Sequence, residues 1–186
     1  MTNPFTDQNT DPHALPDVTL DRIIAGMKSF DIELERVAGR DDAATANLNG
    51  LPCMFAVLDT VAIVRCDVPT DVEYAKADAG LFLAANQINS VSMGARAVIA
   101  DFDGTLLVRT ESDIPCAAGM NDEQLANALK RSVDGVIDAQ NAMVAAAEEM
   151  AKLGSESAAE AGTSSSDSTG STEGCLLYTS PSPRDR

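Results

Sequence analysis

The chain has 186 residues, a formal net charge of −16 and only 4% aromatic residues. This length suits one domain, with or without a tail. No apolar run reaches the roughly 18 residues that a membrane-spanning helix needs, which argues against an integral membrane protein, and so acidic a chain is unsuited to binding a nucleic acid backbone.

The two ends of the chain differ in composition from its middle. Residues 1–17 are polar, carry three prolines and lack the features of a signal peptide, so we expect a flexible arm and a cytoplasmic protein. Residues 154–174 contain only small, polar and acidic side chains, which predicts a flexible tail. Residues 175–186 resemble the translated sequence of a transposase sequencing adapter, and we exclude them from the fold. The folded domain is therefore expected over residues 18–153.

Three cysteines remain once the adapter-like segment is set aside. Cys53, Cys66 and Cys116 have no Cys-x-x-Cys spacing, which favours packed thiols in a reducing compartment. The single histidine, His13, lies in the predicted arm, so neither a metal site nor a histidine-dependent catalytic set is expected. We predict no catalytic, cofactor-binding or metal-binding residues.

The first predicted helix is followed by a meander of strands. Thr19 is a favourable N-cap, and the helix should end near Ser29. Asn49-Gly50 is a strong signal for a two-residue hairpin turn, because both central positions of that turn need positive φ. We predict three or four antiparallel strands, carried by the β-rich segments 32–37, 44–48, 53–58 and 61–68.

A second helix is predicted to begin at Thr70, because Thr70 and Glu73 have the spacing of a capping box. It should end within residues 86–90. The last helix should run from Asp122 to Leu153, with Asn121 and Gln124 as its capping pair and Gly154 as its stop. The exposed Met and Ala residues in its second half are the expected interaction surface.

A β-hairpin is predicted between these two helices. The segments 95–102 and 105–109 flank Asp103-Gly104, another two-residue turn signal. This turn would place Ile99 opposite Val108 and Ala100 opposite Leu107. The order α-βββ(β)-α-ββ-α predicts an α+β fold, an antiparallel sheet with helices packed on it.

The same hairpin carries the most conspicuous chemical motif. The Asp-x-Asp-Gly-Thr run from Asp101 to Thr105 resembles the first motif of the haloacid dehalogenase-like phosphatases. That resemblance would make Asp101 the phosphoryl-accepting nucleophile and Asp103 the general acid, with Mg²⁺ between carboxylate and phosphate. The mechanism also needs downstream parallel strands, whereas this hairpin is followed by one continuous helix. Asp134 and Asp138 have the spacing of an acidic pair but lie inside that helix. We therefore favour a plain hairpin and keep the phosphatase as the alternative.

Several features from residue 18 to residue 144 together resemble the YbjN family, although the Ala-rich second strand lacks the larger apolar residues usual in that family. They are the opening helix with Leu20, Ile23 and Ile24, the Asn86-Gln-Ile-Asn89 helix end, the Ala95–Leu107 hairpin, and Ile114-Pro115 before a helix start with Asn121, Glu123, Gln124 and Leu125.

The resemblance implies a fold like that of the type III secretion chaperones. It also implies a non-enzymatic protein, a sensory transduction or stress-related regulator that binds another protein. Chaperones of the related class are small, acidic dimers that hold a segment of a partner. We accordingly expect a homodimer with a protein partner, no cofactor, no nucleic acid and no membrane.

Overall fold

The computed structural model describes residues 14–161, with side chains described through residue 152. The chain divides into two units, Met1–Ala151 and Lys152–Arg186, and every described strand belongs to the first. Most of the predicted arm and all of the adapter-like segment lie outside the described residues. Among the described helices, none has a stretch long and apolar enough to cross a membrane.

The described elements alternate as the sequence predicts, with four strands in the meander. In chain order they are α1 (Leu20–Lys28), β1 (Glu35–Arg36), β2 (Ala43–Leu48), β3 (Leu51–Leu58), β4 (Val61–Glu73), a 3₁₀ turn (Tyr74–Lys76), α2 (Ala79–Val91), β5 (Arg96–Phe102), β6 (Thr105–Pro115) and α3 (Asp122–Ala161).

All six described strands form one antiparallel sheet in the order β1-β2-β3-β4-β6-β5. The α+β class is confirmed. So is the hairpin register, since Ile99 pairs with Val108 and Ala100 with Leu107. Asp103 has a φ of 52°, the left-handed conformation that the turn requires. Because β6 lies between β4 and β5, β5 is left at an edge of the sheet.

Helices α1 and α3 cover one face of the sheet and form the main core. Thr19 caps α1 as predicted, its hydroxyl accepting a hydrogen bond from the Arg22 amide. Asn121 and Gln124 form the predicted reciprocal cap of α3, with bonds of 2.8 and 3.0 Å. This core consists of buried aliphatic side chains and one aromatic ring. Its fully buried members include Ile23, Met27, Phe55, Val64, Leu125, Leu129 and Val136.

The predicted start of the second helix is wrong. Thr70 lies in β4, and its hydroxyl donates to the Leu106 carbonyl of β6 at 2.8 Å instead of capping a helix. β4 keeps pairing with β6 as far as Glu73 through a bulge. Pairing with β6 satisfies the backbone N–H and C=O groups of this part of β4. A capping box would satisfy only the free N–H groups at the start of a helix. Helix α2 starts at Ala79, where the Asp78 carboxylate accepts from the Gly80 amide at 2.6 Å.

Helix α3 differs from its prediction in length and in burial. It continues through Gly154 to Ala161, since a helical glycine costs only about 1 kcal/mol and the following residues include Ala and Glu. Met143 is buried in a second cluster beneath α2, and the Met150 sulfur packs against Gly80. These methionines therefore do not form the exposed surface that the sequence suggested. The alanine part of that prediction is confirmed, since Ala142, Ala145 and Ala147 are exposed.

Candidate protein-binding surface

Helix α2 packs against the edge strand through apolar side chains and is also hydrogen-bonded to it by one side chain. The side-chain oxygen of Asn89 accepts a hydrogen bond from the Ala97 N–H at 2.7 Å, and its side-chain nitrogen donates to the Ala97 carbonyl at 2.8 Å. It thus occupies backbone groups of β5 that face away from β6. A side chain that pairs with an edge in this way protects part of it from joining another strand. Asn89 belongs to the Asn-x-x-Asn run noted in the sequence, and this contact gives that run a structural role.

Several large apolar side chains are exposed on α2 and on the segment that follows it. Leu83 is 69% exposed, Val91 is 78% exposed and Met93 is fully exposed; we call these three residues the α2 surface. Phe82 beside them packs its ring edge-on against Tyr74, with centroids 6.1 Å apart. The α2 surface has no comparable partner within the described residues, so its apolar area faces solvent.

Two adjoining cavities lie beside the α2 surface. One, of about 470 Å³, runs between α2 and α3 and is lined by Ile88, Val91 and Asp138 among others. The other, of about 240 Å³, is lined by Met93 and by buried Ser112 and Ser132. Arg131 lines both. The region thus combines exposed apolar side chains, grooves and charges of both signs, which suits contact with a polypeptide.

The opposite face of the sheet, which we call the open face, is covered by no helix in the described part of the chain. Glu111 on β6 is at its centre, directly between Arg65 on β4 and Arg96 on β5. Its two carboxylate oxygens accept from Arg65 and Arg96 at 2.8 Å each. Burial by itself would raise the pKa of Glu111, but the hydrogen bonds from Arg96 and Arg65 outweigh it and lower that pKa.

A second ion pair continues the open face. Arg109 donates two parallel hydrogen bonds, of 2.7 and 2.9 Å, to the Asp67 carboxylate. This is the bidentate geometry that a guanidinium group favours. Local sequence patterns predicted no ion pairs on this face. The signal was available in the alternation of Arg109, Glu111 and Asp113 along one strand. Two of their partners, Arg65 and Asp67, lie on β4, which is distant in sequence.

The motif shared with the phosphatases forms a tight turn between antiparallel strands. Asp101 accepts the Gly104 N–H at 2.8 Å, and Asp103 is the first turn residue. Asp101 lies in β5, which runs antiparallel to its neighbour β6. Asp134 and Asp138 line the groove beside α2, and Asp134 is paired with Lys130. Within the described residues, no group of three or more acidic, cysteine or histidine side chains is arranged to hold a metal ion.

Comparisons with known proteins found a matching family model and similar solved structures. A family model described as "Putative bacterial sensory transduction regulator" and named YbjN matches residues 19–144. YbjN from E. coli, described as "a putative transcription regulator", has a similar structure, with a TM-score of 0.60 at 15% identity over 73% of this chain and 96% of that one. At this identity the likeness concerns the fold alone.

A weaker structural likeness is to the heterodimeric complex ExoU–SpcU from the type III secretion system of Pseudomonas aeruginosa. Its TM-score is 0.46 at 17% identity, over 67% of this chain and 96% of that one. Among curated proteins, none matches the sequence. The family match spans well over half of the chain, from α1 into α3. The chain belongs to the YbjN family.

Proposed function

We propose that this domain is a non-enzymatic protein-binding module, chaperone-like or regulatory, that acts by contact and forms a homodimer. The observation that carries the proposal is the α2 surface, where Leu83, Val91 and Met93 are exposed in a chain of strongly negative charge. Clusters of exposed apolar side chains are uncommon on a soluble domain, and where they occur they often mark interaction sites. The family description as a regulator is consistent with a protein that works through a partner.

A self-contact at the α2 surface can offset the repulsion between two acidic copies. Two copies of so acidic a chain repel each other, and a contact must offset that repulsion. The groove beside Val91 carries Arg131 together with Asp134 and Asp138, so charges of both signs are present there. A two-fold dimer places the same patch against itself, and a patch with both signs can be complementary to itself.

The decisive experiment is the oligomeric state of matched variants, measured by size-exclusion chromatography with light scattering. We expect a dimer for the native chain and a monomer for the double variant Val91→Asp with Met93→Asp, because buried carboxylates without partners oppose association. Leu58→Asp is the control, since Leu58 is also an exposed apolar residue but lies at the β3–β4 turn. A native chain that is monomeric at all concentrations contradicts the homodimer.

A protein partner other than a second copy is tested with the same variants. The immobilised native chain and the Leu58→Asp control should retain the same partner, and the double variant should lose it. Equal capture by all three would place binding elsewhere and remove the α2 surface from the proposal. Far-ultraviolet circular dichroism checks that each variant is folded, which we expect because the changed side chains are exposed.

The non-enzymatic part of the proposal has its own test. A generic phosphate ester with Mg²⁺ should be hydrolysed no faster by the native chain than by Asp101→Asn. The reason is the antiparallel hairpin around Asp101, which differs from the parallel strands that a haloacid dehalogenase-like site requires. Activity that is lost in Asp101→Asn would restore the phosphatase as the better function.

We also propose that the domain works in the cytoplasm. What supports this is the state of Cys53, Cys66 and Cys116, which are buried thiols without disulfides. Unpaired thiols persist in a reducing compartment and are uncommon in exported proteins. Fractionation of cells that express the native gene, followed by immunoblotting, should find the protein with cytoplasmic markers; recovery with exported proteins would contradict the assignment.

A further inference from the structure

Two of the three buried thiols are neighbours on adjacent strands and lie on the same face of the sheet. Cys53 on β3 and Cys66 on β4 are direct cross-strand partners, and side chains of opposed residues point to the same face. They are 2% and 0% exposed. Opposed residues of antiparallel strands have Cα atoms roughly 4.5–5.5 Å apart, inside the range of roughly 4.4–6.8 Å that a disulfide spans. The strands therefore need little movement to let the two sulfur atoms bond.

We propose that Cys53 and Cys66 form a dithiol that a small hydroperoxide oxidises to a cross-strand disulfide. In the first step the Cys66 thiolate attacks a peroxide oxygen, the O–O bond breaks, and Cys66 becomes a sulfenic acid while the other oxygen leaves as water or an alcohol. In the second step the Cys53 sulfur attacks the Cys66 sulfur, the S–O bond breaks and water leaves. The two thiols lose two protons and two electrons, which reduce the peroxide.

The order of the two steps follows from the hydrogen bond between the thiols. Cys53 donates to the Cys66 sulfur, which raises the pKa of Cys53 and lowers that of Cys66. Burial opposes the lowering at Cys66 and adds to the rise at Cys53. Since the thiolate is the nucleophile, Cys66 is the thiol that reacts with the peroxide and Cys53 is the one that resolves the sulfenic acid.

Both thiols lie on the helix-covered face, because Cys66 is opposite Thr110 of β6 and the Thr110 hydroxyl contacts the α3 backbone. Cys53 and Cys66 both belong to the main core. A small oxidant therefore reaches the two sulfur atoms when the strands open locally. The third buried thiol, Cys116, follows β6 and is paired across the sheet with neither of the other two. The geometry therefore selects one disulfide among the three possible pairings.

The test is to treat the full-length folded protein with hydrogen peroxide, block the remaining thiols by alkylation and map the products by mass spectrometry. We expect a peptide that links Cys53 to Cys66, a protein mass lower by two hydrogen atoms, and reversal of both by dithiothreitol. A Cys116→Ser, Cys175→Ser variant should form the link at the native rate, because neither of these thiols takes part.

Single variants separate the two roles. Cys53→Ser should leave Cys66 as a sulfenic acid that dimedone traps. Cys66→Ser should slow oxidation of the remaining Cys53 thiol, because burial still raises the pKa of Cys53 when its bond to Cys66 is gone. The mapping of the native protein decides the matter even where a variant folds poorly.

Three results would overturn the proposal. Both thiols could stay unmodified in the folded protein and react only in urea, which would show that peroxide does not reach them. The link could join Cys116 to one of the pair, which would contradict the cross-strand geometry. Both sulfur atoms could advance to sulfinic acid without a disulfide, which would show that Cys53 does not resolve the intermediate.

Discussion

Phe55 and Glu111 lie on opposite faces of the same sheet, and different forces hold them in place. Phe55 faces α1 and α3, is fully buried and contacts apolar side chains. Glu111 faces the open side, where Arg65 and Arg96 surround its carboxylate. Removal of apolar surface from water stabilises the first face, and charge pairing near solvent stabilises the second. The two faces should therefore respond to different perturbations.

The largest effect is expected on the helix-covered face. Phe55→Ala should lower the free energy of unfolding by about 3–5 kcal/mol, because it removes a large buried side chain and leaves a cavity. Urea denaturation measures the loss. Phe102→Ala is the matched control: Phe102 is 64% exposed, and its replacement should change stability by about 0.5 kcal/mol or less. Equal losses in the two variants would contradict the assignment of Phe55 to the core.

An intermediate effect is expected at the centre of the open face. Glu111→Gln should cost about 1.5–3 kcal/mol, since hydrogen bonds to charged groups are lost and two arginines lose their shared partner. Asp113→Asn is the control, because Asp113 makes one longer contact to Arg96, at 3.3 Å, and is more exposed. Its loss should stay below about 1 kcal/mol. A larger cost for Asp113→Asn than for Glu111→Gln would show that Glu111 does not organise this face.

The pH dependence separates the two faces more sharply. The lowered pKa of Glu111 in the folded protein means that its ion pairs stabilise the fold above the ordinary glutamate value of about 4.3. This contribution is lost as the pH falls through the lowered pKa. The stability difference between the native chain and Glu111→Gln should be constant near neutral pH and shrink in acid. The cost of Phe55→Ala should not follow that curve, and urea midpoints across the pH range test both.

The smallest effect is expected at the outer pair of the open face. Asp67→Asn should cost about 0.2–1 kcal/mol, because Asp67 and Arg109 are partly exposed and solvent screens their attraction. Molar salt should reduce this cost further. The same salt should leave the cost of Phe55→Ala unreduced. A salt-independent cost for Asp67→Asn would show that packing, and not charge, explains the pair.

The two faces were also unequally predictable. Thr19 and the Asn121–Gln124 pair predicted the starts of the two helices on the covered face, and the Asp103-Gly104 turn predicted the register of its hairpin, because these signals are local. On the open face, the Arg65–Glu111 and Asp67–Arg109 pairs join β4 to β6, across an intervening helix and strand. Only the contacts of Arg96 lie within the β5–β6 hairpin. Charged residues that come into contact only after the chain has folded leave no local pattern in the sequence. They therefore look like scattered surface residues.

The start of α2 illustrates the same limit. Thr70 and Glu73 match a capping box, yet β4 continues through them because β6 offers backbone partners along its length. Local propensity contributes a few tenths of a kcal/mol per residue to about 1 kcal/mol, and paired strands can outweigh it. The error came from a local signal competing with a partner more than thirty residues away in the chain.

The order of the elements, the caps of α1 and α3 and the two-residue turns depend on neighbours within about four residues, and the amino-acid pattern determined them directly. The insertion of β6 between β4 and β5, the ion pairs of the open face, the exposure of the α2 surface and the meeting of Cys53 with Cys66 depended on tertiary structure. Long-range contacts form only when the chain closes large loops, and many sequences with the same local signals could close them differently. The candidate sites of this protein belong to that second group.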